Sequence, residues 1–224
     1  MVDRIIRHDI DGLKFVYYVD KEIGFMAEIQ RDIFLHKNYE PYSTDIVKSV
    51  LKEGDVAVDV GASIGYFTLQ FAKAVGKTGK VYSFEPITLQ IPYLEENIRF
   101  NGFQDRVKVY NLAASDINGT IMINPSHKSE VQGVILDEIL SDVPKIDFIK
   151  IDVDGTENQV LKGLSKTFEK NKDMKMLIEY YPKYLEMAGN SPKEFMDLVG
   201  KFFKAGRVMG EYTDDYYNLY CIRK

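Results

Sequence analysis

Between residues 54 and 182 the chain alternates short apolar, β-branched runs with stretches whose apolar positions recur every three or four residues. That alternation predicts a parallel sheet whose strands are joined by crossover helices. "DVAVDVG" (55–61) reads as a buried strand, and "IGYFTLQFAKAVG" (64–76) as a helix stopped by Gly76. "KVYSFEP" (80–86) is a second strand. Ile87, Ile91, Leu94 and Ile98 then mark an amphipathic helix that ends near "NGF". "RVKVYNLAAS" (106–115) predicts the third strand and "KIDFIKIDVDG" (145–155) the fourth. Val160, Leu161, Leu164 and Phe168 mark a helix between the fourth strand and a fifth, "MKMLIEYYP" (174–182).

The remaining pattern is of two kinds. "SPKE" (191–194) opens a helix with Ser191 as N-cap, Pro192 at the first helical position and Glu194 closing a capping box. Phe195, Leu198, Val199, Phe202 and Phe203 supply its buried side. "GRVMGEY" and "YNLYCIRK" flank "TDD" and predict an antiparallel hairpin at the sheet edge, which brings the strands to seven. At the other end "LKFVYYV" (13–19) reads as a strand and "TDIVKSVLK" (44–52) as a helix, separated by the tyrosine- and turn-rich "FLHKNYEPYS". Neither a repeat nor a convincing linker interrupts the chain. The expected organisation is an N-terminal extension over residues 1–50, packed on the core and bordering the substrate site, and a domain over residues 51–224.

Composition narrows the function classes. The 224 residues suit one α/β domain with a sizeable core, and a net charge of −5 gives no global basic footprint for nucleic acid. Cys221 is the sole cysteine and the three histidines (His8, His36, His127) are scattered, so neither a disulfide nor a Cys- or His-based metal site is expected. With no signal-like leader and no apolar run of about 18 residues, the expectation is a cytoplasmic protein without a membrane span.

The candidate chemistry lies in "DVGASIGYF" (59–67). A dinucleotide fingerprint starting at Gly61 would need glycines at 63 and 66, where Ser63 and Tyr66 stand, and no Walker sequence follows. Asp59 would repel a pyrophosphate but favour a cationic ligand group such as an ammonium or a sulfonium. Gly61 and Gly65 let backbone approach a ligand without Cβ obstruction. Glu85, at the end of the second strand, is placed to accept hydrogen bonds from both hydroxyls of a ribose. A nucleoside with free ribose hydroxyls, a positive tail and no phosphate fits this set, and S-adenosylmethionine is such a molecule. The plain alternative is that Asp59 and Glu85 only cap neighbouring helices or loops.

Taken in order, "YEPYSTDIVKSVLKEGDVAVDVG", "DVGASIGYFTL", "VYSFEP", "LEENIRFNGF", "AAS", "LDEIL", "FIKIDVDGTENQVLKG" and "LIEYYP" resemble the FkbM family of S-adenosylmethionine-dependent methyltransferases, over about residues 39–182. The resemblance implies a Rossmann-like, seven-stranded, mostly parallel sheet with a C-terminal antiparallel hairpin and helices on both faces. It implies methyl transfer, usually to a hydroxyl of a small molecule or sugar. Asp59, Gly61, Ala62, Ser63 and Gly65 would line the cofactor's methionine end, with Glu40 of "YEP" bordering it. Glu85 and Pro86 would lie at the ribose, and Ala113 and Ala114 beside the adenine. Ser63 stands where the family often has Asn, and Asp154 where it often has Glu.

"KIDVDGTE" sets Asp152, Asp154 and Glu157 at the carboxyl end of the fourth strand, with Asp152 and Asp154 expected on one face of an extended segment. Three tasks compete for these catalytic candidates: a general base for the acceptor's hydroxyl proton, a carboxylate pair for a divalent cation, or, for Glu157, a favourable interaction with its own helix. No metal site is assigned among them. His127 is a weaker candidate base, Lys150 reads as snorkelling from its strand or pairing with an acid, and Tyr39, Tyr42, Tyr180 and Tyr181 are either an aromatic wall or ordinary buried rings. The alternatives to a small-molecule or glycan methyltransferase are an RNA methyltransferase, which the charge disfavours, and a non-catalytic nucleoside-binding scaffold. Methyl acceptor and oligomeric state are not legible.

Overall fold

The computed structural model describes residues 3–19, 39–123, 129–210, 213 and 215–224, and in the first of these segments the side chains of residues 10–16. His127 and His36 lie outside the described residues. β1 (Asp3–Ile10) and β2 (Leu13–Val19) form an antiparallel hairpin. Asp11 and Gly12 turn it with φ of 54° and 76°, the positive pair that matches the twist of flanking strands. β2 is the expected strand. β1, "DRIIRHDI", is not announced by the apolar pattern, because charges interrupt its run.

α1 (Pro41–Val50), β3 (Val56–Val60), α2 (Tyr66–Ala74), β4 (Lys80–Phe84), α3 (Ile91–Phe100) and β5 (Val107–Tyr110) follow. Next come β6 (Ala113–Ser115), β7 (Gly119–Ile123), β8 (Ser129–Ile135), α4 (Leu136–Ile139), β9 (Phe148–Ile151), α5 (Glu157–Gly163) and α6 (Ser165–Lys170). β10 (Lys175–Tyr180), α7 (Pro182–Met187), α8 (Pro192–Phe202), β11 (Phe203–Arg207) and β12 (Tyr217–Arg223) complete the order.

The main sheet has seven strands in the order β11-β12-β10-β9-β3-β4-β5. β10, β9, β3, β4 and β5 are parallel, β12 runs antiparallel to β10 and β11 antiparallel to β12. The hairpin is as expected, but its first strand is Phe203–Arg207 rather than "GRVMGEY", and Phe203 belongs to it and not to the helix before it. Helices cover both faces. One core joins Phe15, Val47, Leu69, Phe71 and Leu94 to Ala57, Phe148 and Leu177 of the sheet. The other joins Val160, Phe168, Phe195 and Val199 to Val58, Ile149 and Ile178. After β3 the chain builds outward through β4 and β5, and later returns to place β9 on the other side of β3. The carboxyl ends of β3 and β9 therefore flank the topological switch point, where open α/β sheets bind ligands.

Two expected elements are divided. The third strand stops at Tyr110, and Ala113–Ser115 leaves for a separate sheet of order β6-β8-β7. The cause is Asn111, whose amide donates to the Glu85 and Pro86 carbonyls at 2.9 and 3.0 Å and so clasps the strand end where β4 runs out. The helix expected through 160–168 breaks at Leu164 into α5 and α6. A Cβ on Gly163 would lie 2.1 Å from the Ser115 carbonyl oxygen, so α5 ends against β6. The Asp137 carboxylate then caps α6 through the N–H groups of Lys166 and Thr167. At α8, Ser191 accepts the Glu194 N–H as expected, but Glu194 does not close the box; its carboxylate meets Asn158 and Lys162. Among the described residues no helix is long and apolar enough to cross a membrane.

Asn97 of α3 fastens the N-terminal hairpin to the core. It is fully buried; its Oδ1 accepts the Val16 N–H at 2.7 Å and its amide donates to the Ile64 carbonyl at 2.8 Å. Asn97→Ala would leave a buried donor and a buried acceptor unsatisfied, so it is expected to cost about 3 kcal/mol in urea unfolding; a loss under about 1 kcal/mol would mean that the hairpin is held otherwise.

Candidate active site

Two polar rungs cross one face of the sheet near its carboxyl end. Ser83, Asp59 and Lys150 are register partners on β4, β3 and β9. Two residues further along each strand or its extension stand Glu85, Gly61 and Asp152, and β10 and β12 add the paired Glu179 and Asn218. Alternation in strands puts these side chains on the face covered by α1 and α2.

The loop after β3 is shaped by contacts that tolerate little change. Gly61 has φ 88°, and a Cβ there would lie 1.8 Å from the Asp152 carbonyl oxygen. The N–H groups of Gly61 and Ala62 both donate to the Phe84 carbonyl, at 2.9 and 3.0 Å. Ser63 adopts φ 50°, uncommon for a residue with a side chain. Its N–H donates to Glu85 Oε2 at 2.8 Å, and its hydroxyl is buried without a hydrogen-bond partner. Gly65 (φ 97°) passes so close to Leu94 that a Cβ would sit 2.6 Å from Leu94 Cδ1.

Tyr66, which denies the loop to a dinucleotide fingerprint, is buried instead as a brace. It stacks on Phe15 (5.6 Å between centroids), meets Tyr39 edge-on and shares a hydrogen bond with Thr44.

Glu85 is 4% exposed. Its two oxygens accept the N–H groups of Ser63 and Ile87 (2.7 Å), and burial lifts its carboxyl from 4.5 to about 7 against those bonds. A carboxylate has about four acceptor positions, so two remain for a pair of ligand hydroxyls. Asp59 is buried under the loop, where Oδ2 accepts the Thr68 hydroxyl at 2.6 Å. Burial raises it to about 6, opposed by the Lys150 charge and by Thr68. Ala113 and Ala114 are buried in β6, next to the Asn111 that grips the Glu85 and Pro86 carbonyls.

Lys150 is 2% exposed, with its ammonium 2.6 Å from Asp152 Oδ2 and 4.6 Å from the centre of the Phe67 ring. Burial acts to lower it; the carboxylates of Asp152, Glu40 and Asp59 outweigh that and hold it charged, above the ordinary lysine range. Glu40 caps α1 from a left-handed conformation (φ 45°) and accepts the Asn218 amide at 2.7 Å. It thereby joins the N-terminal segment to β12.

The three catalytic candidates are not equivalent. Asp152 faces the crevice beside Lys150. Asp154 does not share its extended segment, because β9 ends at Ile151 and Asp154 turns with φ 53° to lead into Gly155. That turn is forced: a Cβ on Gly155 would lie 2.4 Å from the Tyr184 carbonyl oxygen. Glu157, 2% exposed, folds back so that Oε1 accepts the N–H groups of Val153 and Gly155 at 3.1 and 3.2 Å. Burial raises it to about 7. The tyrosines do not line one wall: Tyr42 is half exposed, Tyr180 packs on Phe195 and Tyr217, and Tyr181 stacks on Tyr216 and meets Tyr184 at a tilt. Among the described residues no group of three His, Cys, Asp or Glu side chains is arranged to hold a metal ion.

Glu179, Tyr216 and Asn218 also belong to the crevice and are not singled out by the sequence patterns. The Tyr216 hydroxyl donates to Glu179 Oε1 at 2.8 Å. A signal was present in "MLIEYYP", where a carboxylate interrupts an otherwise apolar buried strand.

Fold and site together define a Rossmann-like α/β protein with an acid-lined crevice at the switch point of its sheet. The sequence model of the methyltransferase FkbM domain matches residues 59–206, and the chain belongs to that family. A hexuronic acid methyltransferase, AglP, of Haloferax volcanii is 31% identical over 142 residues, covering 56% of this chain. The chain spans 57% of that relative's length. Among solved structures, methyltransferase FkbM from Methylobacillus flagellatus KT shares the fold with a TM-score of 0.61 at 22% identity, over 83% of this chain and 49% of that one. A SAM-dependent methyltransferase from Aquifex aeolicus shares it with a TM-score of 0.51 at 20% identity, over 80% and 88%.

Asp59, Glu85 and Glu157 each bind a proton more tightly folded than unfolded. The stability this confers is complete below the ordinary carboxylate range and is lost as pH rises through about 6 to 7. The urea midpoint of the ligand-free protein is therefore expected to fall between about pH 5 and pH 8, with a shallower fall in Glu85→Gln. A midpoint that rises across that window would contradict these environments.

Proposed function

We propose that the chain is an S-adenosylmethionine-dependent methyltransferase that methylates a hydroxyl of a small molecule or sugar, in the cytoplasm. The observation that carries the proposal is Glu85. It is buried beside a loop whose backbone it already holds, keeps acceptor positions for a ribose diol, and shares the crevice with carboxylates that favour a cationic ligand end. The unpartnered Ser63 hydroxyl and the turned loop backbone that Gly61 permits fit the same ligand. Membership of the FkbM family and the hexuronic acid methyltransferase relative support methyl transfer to a sugar-like acceptor.

In this reading residues 51–224 form the catalytic domain. Residues 1–50 form an extension that reaches the acceptor side through Tyr39 and Glu40. When bound, the cofactor supplies a methyl group already activated on a positively charged sulfur. The chain binds, orients and excludes water. Glu85 holds the ribose, Gly61 through Gly65 pass along the methionine end, Ala113 and Ala114 flank the adenine, and Asp59 and Glu40 favour the ammonium of the methionine end. Lys150 fixes Asp152 at the crevice, where Asp152 and Asp154 border the acceptor. Glu157 holds the loop that carries both. Alignment of this kind is worth several kcal/mol in a displacement reaction. The crevice carboxylates and the net charge of −5 disfavour a nucleic-acid acceptor.

Calorimetric titration tests the cofactor assignment. S-adenosylmethionine and S-adenosylhomocysteine are expected to bind and NAD is not. Glu85→Ala is expected to weaken binding of both by about 100-fold, the loss of charge-assisted hydrogen bonds to a ribose. Binding of NAD alone, or unchanged affinity in Glu85→Ala, would overturn it.

A further inference from the structure

Glu179 is a buried carboxylate of the crevice, 6% exposed. It stands one residue beyond Ile178, the partner of Ile151, and so lies level with Asp152 on the same face of the sheet. On its other side it pairs with Asn218 of β12, and the Tyr216 hydroxyl donates to it. Charged and titratable groups reach this corner from every element packed around it. Asp152 and Asp154 come from the turn after β9, Glu157 from α5, Tyr39 and Glu40 from the segment before α1, and Lys150 from β9.

The charges that act most strongly on Glu179, those of Asp152, Glu157 and Asp154, all have its own sign, and Lys150 is engaged by Asp152. Burial first, and these like charges second, lift the Glu179 carboxyl well above the ordinary range. Glu157 competes for the same proton, but two backbone N–H groups already favour its charged form. Among the described residues Glu179 has a single donor, the Tyr216 hydroxyl, to favour its charged form.

We infer, on the S-adenosylmethionine reading, that Glu179 exchanges a proton against the charge on the ligand's sulfur: protonated beside a neutral sulfur, ionised beside a sulfonium, and hence the base that receives the acceptor's hydroxyl proton. Glu179 takes that proton as the oxygen–methyl bond forms and the methyl–sulfur bonding pair stays on sulfur. A positive charge is lost at sulfur and a negative one at Glu179, so the buried crevice keeps its net charge through the reaction. An acceptor oxygen that is already ionised has no proton to give Glu179, so this balance holds for transfer to a neutral hydroxyl.

Calorimetric titration with S-adenosylmethionine and with S-adenosylhomocysteine, each in two buffers of different ionisation heat, counts the protons released on binding. Both ligands carry the same adenosine and amino-acid tail, so release linked to Asp59 and Glu85 is common to them and the difference isolates the sulfonium. In a series from about pH 5 to pH 9, S-adenosylmethionine is expected to release more protons than S-adenosylhomocysteine, by up to about one, wherever Glu179 of the free protein is protonated. Glu179→Gln is expected to remove this excess while still binding both ligands. Tyr216→Phe, which withdraws the O–H that favours the ionised carboxylate, should keep the excess and move it to higher pH. Equal counts in the wild type, or an excess that persists in Glu179→Gln, would overturn the inference. Should Glu179→Gln fail to fold, an excess whose pH Tyr216→Phe leaves unmoved would do the same. Failure of both ligands to bind is a separate outcome: it refutes the cofactor reading, and the inference falls with it.

Discussion

The site depends on how closely two backbones pass at the end of β3. The Asp152 N–H donates to the Val60 carbonyl at 3.0 Å, and the Asp152 carbonyl oxygen then occupies the space where a Cβ of residue 61 would be. Only glycine fits there, and its positive φ turns the chain off the strand into a loop. Because the Phe84 carbonyl takes the N–H groups of both Gly61 and Ala62, the loop is held low over β4. Glu85, just past the end of that strand, can then reach the Ser63 N–H. One close approach thus sets the crevice floor, the loop above it and the carboxylate at its side.

Electrostatics give that geometry its selectivity. Asp59, Glu85, Glu157 and Glu179 are all buried, and burial raises each of them. Lys150 stays charged because several carboxylates surround it, yet it directly contacts just one of them in the described structure. A crevice with this surplus of acid keeps protons until a positive group arrives, and it repels phosphate. The same surplus explains why Glu157 folds onto its own loop: two N–H groups there compensate a carboxylate that has left water.

Much of this arrangement is legible from residues alone, for identifiable reasons. Buried parallel strands are continuous apolar runs, so the five of them and the returning hairpin stand out, and so do Asp59, Gly61 and Glu85 at their ends. The Asp11–Gly12 turn carries a readable signal as well, but β1 is hidden by its charges. The break at Asn111 is not readable, since it arises from carbonyls some 25 residues away. Glu179 illustrates the same limit. Its isolation in an apolar strand is visible, but its partners Tyr216 and Asp152 come from two other parts of the chain, and only the strand order brings them together.

The central claim is that the crevice at the switch point holds an adenosine whose sulfur faces the acid cluster. A crystal structure of the protein with S-adenosylhomocysteine tests it most directly. The account predicts the ribose hydroxyls on Glu85, the amino-acid end along Gly61 to Gly65, and the sulfur on the side of Asp152 and Glu179. An adenosine away from Glu85, or a sulfur turned from those two carboxylates, would contradict it.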